Sequence, residues 1–323
     1  MVRVITRLIL IISIFGLSSC GESDRSTEKS GPSSESHQAP VVALVMKSLA
    51  NEFFVTMADG ARAHQAQHSE EYQLMVNGIK NEIDLTQQVA LIDQMIASRV
   101  DAIVVAPADS KAVVPALARA SAAGIVIVNI DNRLDEKVLA DYDLKIPFVG
   151  PDNYAGALEV GQFLAASLDA GMEVAIIEGV QTAYNSQRRT AGFNQAMAEA
   201  NLDVVSQQSA QWDQTKAVVI ASAMLAQHPA LAAILCANDN MALGTIAAVK
   251  QAGRIDQVQV IGFDNISAVR TLISEGSILA TVDQHADLLA VFGIEYALEA
   301  LTGNAIQEDR STPVDLVTIQ NLE

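Results

Sequence analysis

The stretch Val41-Val-Ala-Leu-Val-Met46 decides the fold class. An unbroken apolar run of this length is typical of a parallel strand that is covered on both faces. The apolar residues of Asp84–Arg99 then recur at helical spacing, which predicts an amphipathic helix. A strand followed by a helix in this way indicates a βαβ unit, and therefore a parallel sheet.

The same alternation continues along the chain. Further strand-like runs are Ala102–Ala106, Ile125–Ile130, Val174–Ile177, Leu231–Cys236 and Val258–Phe263. Helical patterns between them are Asn153–Leu168, Gln187–Ala200, Thr215–Gln227 and Asn238–Ala252. This many units would overfill one compact sheet, so we expect an α/β protein with two similar, doubly wound parallel-sheet lobes.

Polar and aromatic side chains collect just after the predicted strands and helices. Ligands of open α/β sheets bind outside the carboxyl ends of the strands, so these positions are the candidates for function. The candidate ligand-binding residues are Asn51, Phe53, Phe54, Asp131, Asn132, Arg189, Trp212, Asn238, Asp264 and Gln284. Planar polar groups can grip vicinal hydroxyls, and aromatic rings can cover the apolar faces of a sugar ring. The set predicts a site for a small sugar.

Each of these residues also has an ordinary structural role open to it. Phe53 and Phe54 could be core residues at the start of a helix. Asp131, Asp264 and Asn238 could cap helices or turns, which is the commoner role of such residues after a strand. Arg189 could be a solvated helix charge. Only their joint placement favours a binding site.

Six segments in the same order give the chain a family resemblance. They are Ser48-Leu-Ala-Asn-Glu-Phe-Phe54, Val128-Asn-Ile-Asp-Asn132, Glu173-Val-Ala-Ile-Ile-Glu-Gly179, Ala237-Asn-Asp-Asn-Met-Ala-Leu-Gly244, Ile261-Gly-Phe-Asp264 and Ala280-Thr-Val-Asp-Gln284. They resemble the periplasmic sugar-binding proteins of ABC importers, in particular the ribose- and allose-binding members. The likeness runs from about Val41 to Leu322.

The resemblance implies a type I solute-binding fold, in which two lobes joined by three crossovers close on the ligand. The first lobe would be 41–151 plus 285–312, and the second 152–284 plus 313–323. A monosaccharide would be the ligand, permease and ATPase subunits of an importer the partners, and the protein a monomer. The role of Glu52, where many relatives have Pro, stays open.

Three departures from the ribose-binding pattern bear on the ligand. Ribose-binding members usually carry Arg at the position of Asn132, Asn at the position of Ala106 and Phe at the position of Trp212. The details here look more like the allose-binding branch. We therefore expect a hexose such as allose rather than ribose.

The first residues read as a bacterial lipoprotein signal. Arg3 and Arg7 precede an apolar run over 8–17, which is too short for the ~20 residues that a bilayer requires. Leu17-Ser-Ser-Cys20 resembles a lipobox, which would leave Cys20 as the lipidated first residue of the mature chain. The polar stretch 21–40 is then expected to be a flexible tether. These features place the protein in the periplasm or cell envelope, with a lipid anchor as its only membrane contact.

Composition and charge narrow the function further. The formal net charge of −18 and the lack of a basic patch argue against nucleic acid as a partner. With Cys20 lipidated, Cys236 is the one remaining cysteine and is expected to be a small buried strand residue. His64 and His68 have the spacing of two ligands on one helix, yet no Glu lies between them and no metal site is expected.

The motifs give no support to catalysis or to a cofactor. Dinucleotide, phosphate-loop and serine-hydrolase signatures are missing from the sequence, and no candidate nucleophile accompanies a histidine in the motifs. We therefore predict a binding protein that is not an enzyme. Two alternatives stay open: a receptor that feeds a chemosensor or kinase, and a sugar-modifying enzyme on the same fold.

Overall fold

A computed structural model describes residues 39–303 and 308–322. The predicted signal, the lipidation site at Cys20 and the predicted tether up to residue 38 lie outside the described residues. Within those residues, no helix combines the length and the apolar character that crossing a membrane requires.

Two six-stranded sheets form the two lobes. The strands of the first sheet are β1 (Val41–Ser48), β2 (Gln73–Ile79), β3 (Ala102–Val105), β4 (Val126–Ile130), β5 (Phe148–Pro151) and β11 (Arg310–Thr312). The strands of the second are β6 (Glu173–Glu178), β7 (Asp203–Ser209), β8 (Leu231–Cys236), β9 (Gln259–Ile261), β10 (Ala280–Asp283) and β12 (Asp315–Thr318). The predicted α/β class with two lobes is confirmed.

Ten helices connect these strands within the described residues. Those of the first lobe are α1 (Glu52–Gln67), α2 (Leu85–Ala97), α3 (Val114–Ala122), α4 (Glu136–Asp141) and α10 (Ala286–Leu301). Those of the second lobe are α5 (Asn153–Ala165), α6 (Tyr184–Glu199), α7 (Gln214–Gln227), α8 (Asp239–Gln251) and α9 (Ser267–Ser274).

The two sheets share one strand order. The first runs β2-β1-β3-β4-β5-β11, and the second β7-β6-β8-β9-β10-β12. All pairings are parallel except that of β12 with β10, which is antiparallel. The order reverses between β1 and β3 in the first sheet and between β6 and β8 in the second, and such a reversal leaves a crevice at the carboxyl ends of the strands.

The chain passes between the lobes three times. It crosses from β5 to α5, returns from β10 to α10, and crosses again between β11 and β12. The first sheet is therefore completed only by β11, which pairs with β5 through Arg310 and Val149. Any hinge motion between the lobes would have to take place in these three connections.

Helices on both faces bury the central strands, which explains their continuous apolar composition. In β1, all residues from Val42 to Ser48 are buried. Cys236 is also fully buried at the end of β8, as predicted from its place in a strand. Gln88 of α2 joins the ends of β1 and β3, because its Nε2 donates to the carbonyl of Ala106 at 2.9 Å and to that of Met46 at 3.3 Å.

Candidate functional site

A cavity of about 220 Å³ lies between the two lobes at the carboxyl ends of their strands. Its lining residues are Lys47, Asn51, Phe53, Phe54, Glu82, Asp131, Asn185, Arg189, Trp212, Asn238 and Asp264. All except Glu82 are buried, so the lobes are closed over the cavity. A larger groove of about 1390 Å³ beside β12 is open to solvent and lacks this buried polar lining. The enclosed cavity is therefore the candidate site.

Eight of the ten predicted ligand-binding residues line this cavity, and Asn132 and Gln284 do not. Lys47 and Glu82 line it without having been predicted, and so does Asn185. Lys47 follows directly on the apolar run of β1, and a charged residue at the carboxyl end of a buried strand was the signal that could have found it. Glu82 lies in the loop between β2 and α2, after a strand that the apolar pattern did not indicate.

Lys47 and Asp131 form a buried ion pair on the first lobe. Lys47 Nζ lies 2.8 Å from Asp131 Oδ2, and each side chain is only 2% exposed. Lys47 Nζ also lies 5.6 Å from the ring centre of Phe54 and 6.0 Å from that of Trp212. Burying such a pair is costly unless further hydrogen bonds satisfy both groups, and sugar hydroxyls can supply them.

Two asparagines cap helices and line the cavity at the same time. Asn51 Oδ1 accepts from the backbone N–H of Phe53 at the start of α1, while its Nδ2 donates to Glu82 Oε1 at 3.0 Å. Asn238 Oδ1 accepts from the backbone N–H of Met241 at the start of α8. An amide that caps through its oxygen keeps its NH2 group for other partners. The capping role and the binding role are therefore compatible.

Arg189 organises the second lobe's half of the cavity. Its Nε donates to Asn153 Oδ1 at 2.7 Å, and its Nη1 donates to the carbonyl of Ala237 at 2.8 Å and lies 3.4 Å from Asp264 Oδ1. The guanidinium carbon lies 3.8 Å from the ring centre of Phe263. Burial lowers the pKa of Arg189, and the charge of Asp264 opposes that shift. These contacts fix the guanidinium plane in one orientation.

Gln284 supports the site from behind. It is fully buried, and its Nε2 donates to Asp264 Oδ1 at 2.6 Å. Burial raises the pKa of Asp264 well above its usual value, although Arg189 opposes the shift. Gln284 therefore acts on the shape and charge of the cavity through Asp264.

Asn132 turns away from the cavity. Its Nδ2 donates to the carbonyl of Pro107 at 3.0 Å, and its Oδ1 accepts from the backbone N–H of Asn185 at 3.1 Å. Asp131 next to it has φ of 62°, a left-handed conformation that changes the direction of the chain between the two side chains. The structure thus separates two neighbours that the motif had grouped together.

The backbone is strained at three cavity residues. Asp131, Trp212 and Asp264 have φ values of 62°, 66° and 132°, although none of them is glycine. Each such conformation costs about 1–3 kcal/mol and persists only where the surroundings impose it. Here the unusual backbone conformation directs the carboxylates of Asp131 and Asp264 and the indole of Trp212 toward one cavity.

Trp212 packs tightly on Gly179. A Cβ added at Gly179 would overlap the six-membered ring of the indole. Among the described residues, no hydrogen-bond partner exists for the buried Nε1 of Trp212. On the first lobe, Phe53 and Phe54 meet edge to face, with ring centres 5.1 Å apart. The cavity is therefore lined by aromatic rings from both lobes.

Glu82 adds a third carboxylate to the two that are paired with cations. Burial raises its pKa, and the charge of Lys47 and the hydrogen bond from Asn51 oppose the rise.

Behind the cavity, Asp239 is fully buried and accepts from Thr281 Oγ1 at 2.7 Å and from the backbone N–H of Ile266 at 3.0 Å. Burial raises the pKa of Asp239 to about 7.

The arrangement is suited to binding polar solutes. Its charged groups can form several charge-assisted hydrogen bonds, while serine, cysteine and histidine, the usual nucleophiles and bases, do not occur among the lining residues.

Away from the cavity, the rings of His64 and His68 stack with their centres 4.3 Å apart, and His64 Nδ1 lies 2.9 Å from the hydroxyl of Tyr72. Within 39–303 and 308–322, no three potential ligand residues are grouped for a metal ion.

Comparison with known proteins agrees with this geometry. The family model of the periplasmic binding protein domain matches residues 42–305. A D-ribose/D-allose-binding protein of Pseudomonas aeruginosa is 52% identical over 288 residues, which cover 88% of this chain and 90% of that protein.

Two solved structures share the two-lobed fold. A solute-binding protein of an ABC transporter from Burkholderia multivorans has a TM-score of 0.85 at 52% identity and covers 87% of this chain and 100% of its own. One from Actinobacillus succinogenes, with bound D-allose, has a TM-score of 0.81 at 34% identity and covers 87% and 98%. These proteins bind solutes and are not enzymes. The present chain belongs to the same family, the periplasmic binding proteins.

Proposed function

We propose that this protein is the sugar-binding component of an ABC importer and captures a monosaccharide by closure of its two lobes. One observation carries the proposal: both lobes contribute buried charged and aromatic side chains to a single closed cavity. Polar, charged and aromatic side chains line this cavity together, a combination that suits a sugar ring. The importer's permease and ATPase subunits are the partners that fit a protein of this kind.

The hydrogen-bonding groups suit vicinal hydroxyls, which both donate and accept. Asp131 and Asp264 can each accept from hydroxyls, while Lys47, Arg189 and Asn238 can donate to them. In the closed cavity, Lys47 lies 2.8 Å from Asp131 and Arg189 lies 3.4 Å from Asp264, and these contacts hold the four side chains in place. Hydrogen bonds to charged groups in a closed, water-free cavity are stronger than those between neutral groups.

An aldohexose, with D-allose as the first candidate, is our choice over ribose. Of the three departures from the ribose-binding pattern, only Trp212 lines the cavity, whereas Ala106 and Asn132 do not. Trp212 thus becomes the main residue behind this choice. A solved relative with bound D-allose supports this choice, while the relative named for D-ribose and D-allose fits either sugar.

Calorimetry with D-allose and D-ribose tests the proposal directly. We expect D-allose to bind with a Kd near 1 μM, about −8 kcal/mol, and D-ribose more weakly. Tighter binding of D-ribose would overturn the choice of hexose, and binding of neither sugar nor of a wider panel would overturn the sugar site. Asp131→Asn and Arg189→Lys should each weaken binding at least ~100-fold, because each loses a charge-assisted or bidentate contact.

Lipid anchoring through Cys20 is a separate proposal, supported by Leu17-Ser-Ser-Cys20. Mass spectrometry of the exported protein should find acyl chains on Cys20, and the protein should fractionate with membranes. Cys20→Ala should release it without altering the sugar Kd. An unmodified Cys20 in the exported protein would refute the anchor.

A further inference from the structure

Two helices of the second lobe begin at an N-cap residue whose side chain cannot accept a hydrogen bond. The N-cap residue of α6 is Ala183 and that of α9 is Ile266. The first backbone N–H groups of a helix have no partner within the helix and need one from elsewhere. In both helices, the partner of the first N–H group comes from the opposite lobe.

The first lobe caps α6 with two acceptors. Ser110 Oγ accepts from the backbone N–H of Tyr184 at 2.9 Å, and Asn132 Oδ1 accepts from that of Asn185 at 3.1 Å. Ser110 is 4% exposed and Asn132 is fully buried. The bond from Asn132 to the carbonyl of Pro107 holds its amide in place for this role.

The first lobe also caps α9. Glu52, the first residue of α1, accepts from the backbone N–H of Ser267 through Oε1 at 2.8 Å. A carboxylate at this position interacts favourably with the positive end of the helix dipole as well as with the N–H group. This contact gives a role to Glu52, which the sequence left open.

None of these three acceptors lines the cavity, although two of them stand beside residues that do. Glu52 is next to Asn51, and Asn132 is next to Asp131. Because donors and acceptors belong to different lobes, the bonds exist only while the lobes are closed. In an open form, the helix ends and their acceptors would turn to water.

We propose that Ser110, Asn132 and Glu52 are positioning residues that cap α6 and α9 across the cleft and thereby set the stability of the closed form. The assignment rests on the proposed capture by closure, but not on which solute is captured. It separates affinity from selectivity: ligand contacts decide which sugar binds, and the cross-lobe caps decide how firmly the closed form holds it. Loss of a cap should act on every ligand alike.

Ser110→Ala and Glu52→Ala test the proposal, with matched controls in the first lobe. Ser121→Ala and Glu70→Ala change the same residue types at exposed positions. We expect each cap variant to raise the Kd for D-allose and for D-ribose by about three- to tenfold, consistent with the usual cost of losing a cap. The rise should appear in the dissociation rate, and the ratio of the two Kd values should stay constant. Glu52→Gln, which keeps an acceptor, should recover part of the affinity.

A second readout does not need a sugar. Spin labels on cysteines that replace Lys80 and Lys216, which face each other at the mouth of the cleft, report the separation of the lobes. The cap variants should lose the short distances relative to the controls, with or without ligand. The proposal would be overturned if the cap variants had the same Kd values and label distances as the controls. A change in the ratio of the Kd values for D-allose and D-ribose would also overturn it. Failure of every sugar to bind would count against the proposed function alone.

Discussion

Lys47 Nζ lies 2.8 Å from Asp131 Oδ2 inside the closed cavity, where both side chains are 2% exposed. This pair joins the end of β1 to the end of β4 and so spans the centre of the first sheet's binding edge. Because the pair is buried, removing one side chain would leave the charge of the other without compensation.

Lys47→Met should therefore destabilise the closed form by about 3–5 kcal/mol, because it leaves the Asp131 carboxylate buried without its cation. Urea denaturation measures this change. The matched control is Lys111→Met, whose ion pair with Asp135 is solvent-exposed and should contribute about 1 kcal/mol or less. Adding Asp131→Asn to Lys47→Met should restore part of the stability, and strictly additive losses would contradict the pairing.

Gly179→Ala should weaken sugar binding by about tenfold or more, because the new methyl group displaces the Trp212 ring that packs there. The fluorescence of Trp212, the sole tryptophan of the chain, should shift in the free protein. Combining the change with Trp212→Ala provides the control. If the methyl group acts through the indole, the double variant should bind no more weakly than Trp212→Ala alone.

Glu82 should make sugar binding dependent on pH. Burial in the closed cavity raises its pKa, so closure favours the protonated carboxyl. Affinity should therefore be highest below the ordinary carboxyl range and fall as pH rises through the raised value. Calorimetry in buffers of different ionisation enthalpy should detect proton uptake on binding, and less of it in Glu82→Gln. The exposed change Glu70→Gln should leave the uptake as it is, and equal uptake in all three proteins would contradict this role.

Asp239 should shape the pH dependence of stability. Its pKa is about 7 in the folded protein, against 3.8 as the ordinary value, because it is buried. Its favourable contribution is complete below about pH 4 and is lost as pH rises through 7. Asp239→Asn should flatten the fall of Tm between pH 5 and 8, since the amide oxygen can accept from the Ile266 N–H while the NH2 group donates to Thr281 Oγ1. The exposed Asp141→Asn should retain the slope of the unmodified protein.

The apolar runs were sufficient to predict the fold class and the side of the sheets that binds ligand. Parallel strands that are buried on both faces have continuous apolar sequences, which are easy to recognise. The carboxyl ends of such strands meet at one edge of the sheet. β2 was not predicted, because Gln73 and Asn77 interrupt its apolar pattern. Glu82 follows β2 in the chain and was therefore not predicted either.

Side-chain direction was the part that the sequence could not supply. Asp131 and Asn132 are adjacent, yet the left-handed backbone at Asp131 sends one into the cavity and the other to Asn185 of the opposite lobe. Gln284 has the composition of a ligand contact, but it lies behind Asp264 and donates to that carboxylate instead. A contact between the lobes decides the first case, and a contact within the second lobe decides the second.

The position of β11 near the end of the chain affects the order in which the two lobes fold. Its pairing of Arg310 with Val149 closes the first sheet with residues from the far end of the chain, and α10 covers the same sheet. A chain that emerges from its amino terminus therefore cannot finish the first lobe until nearly all of it is free. Contacts of such long sequence separation form slowly. We expect the second lobe, interrupted only at β12, to acquire protection from hydrogen exchange before the first.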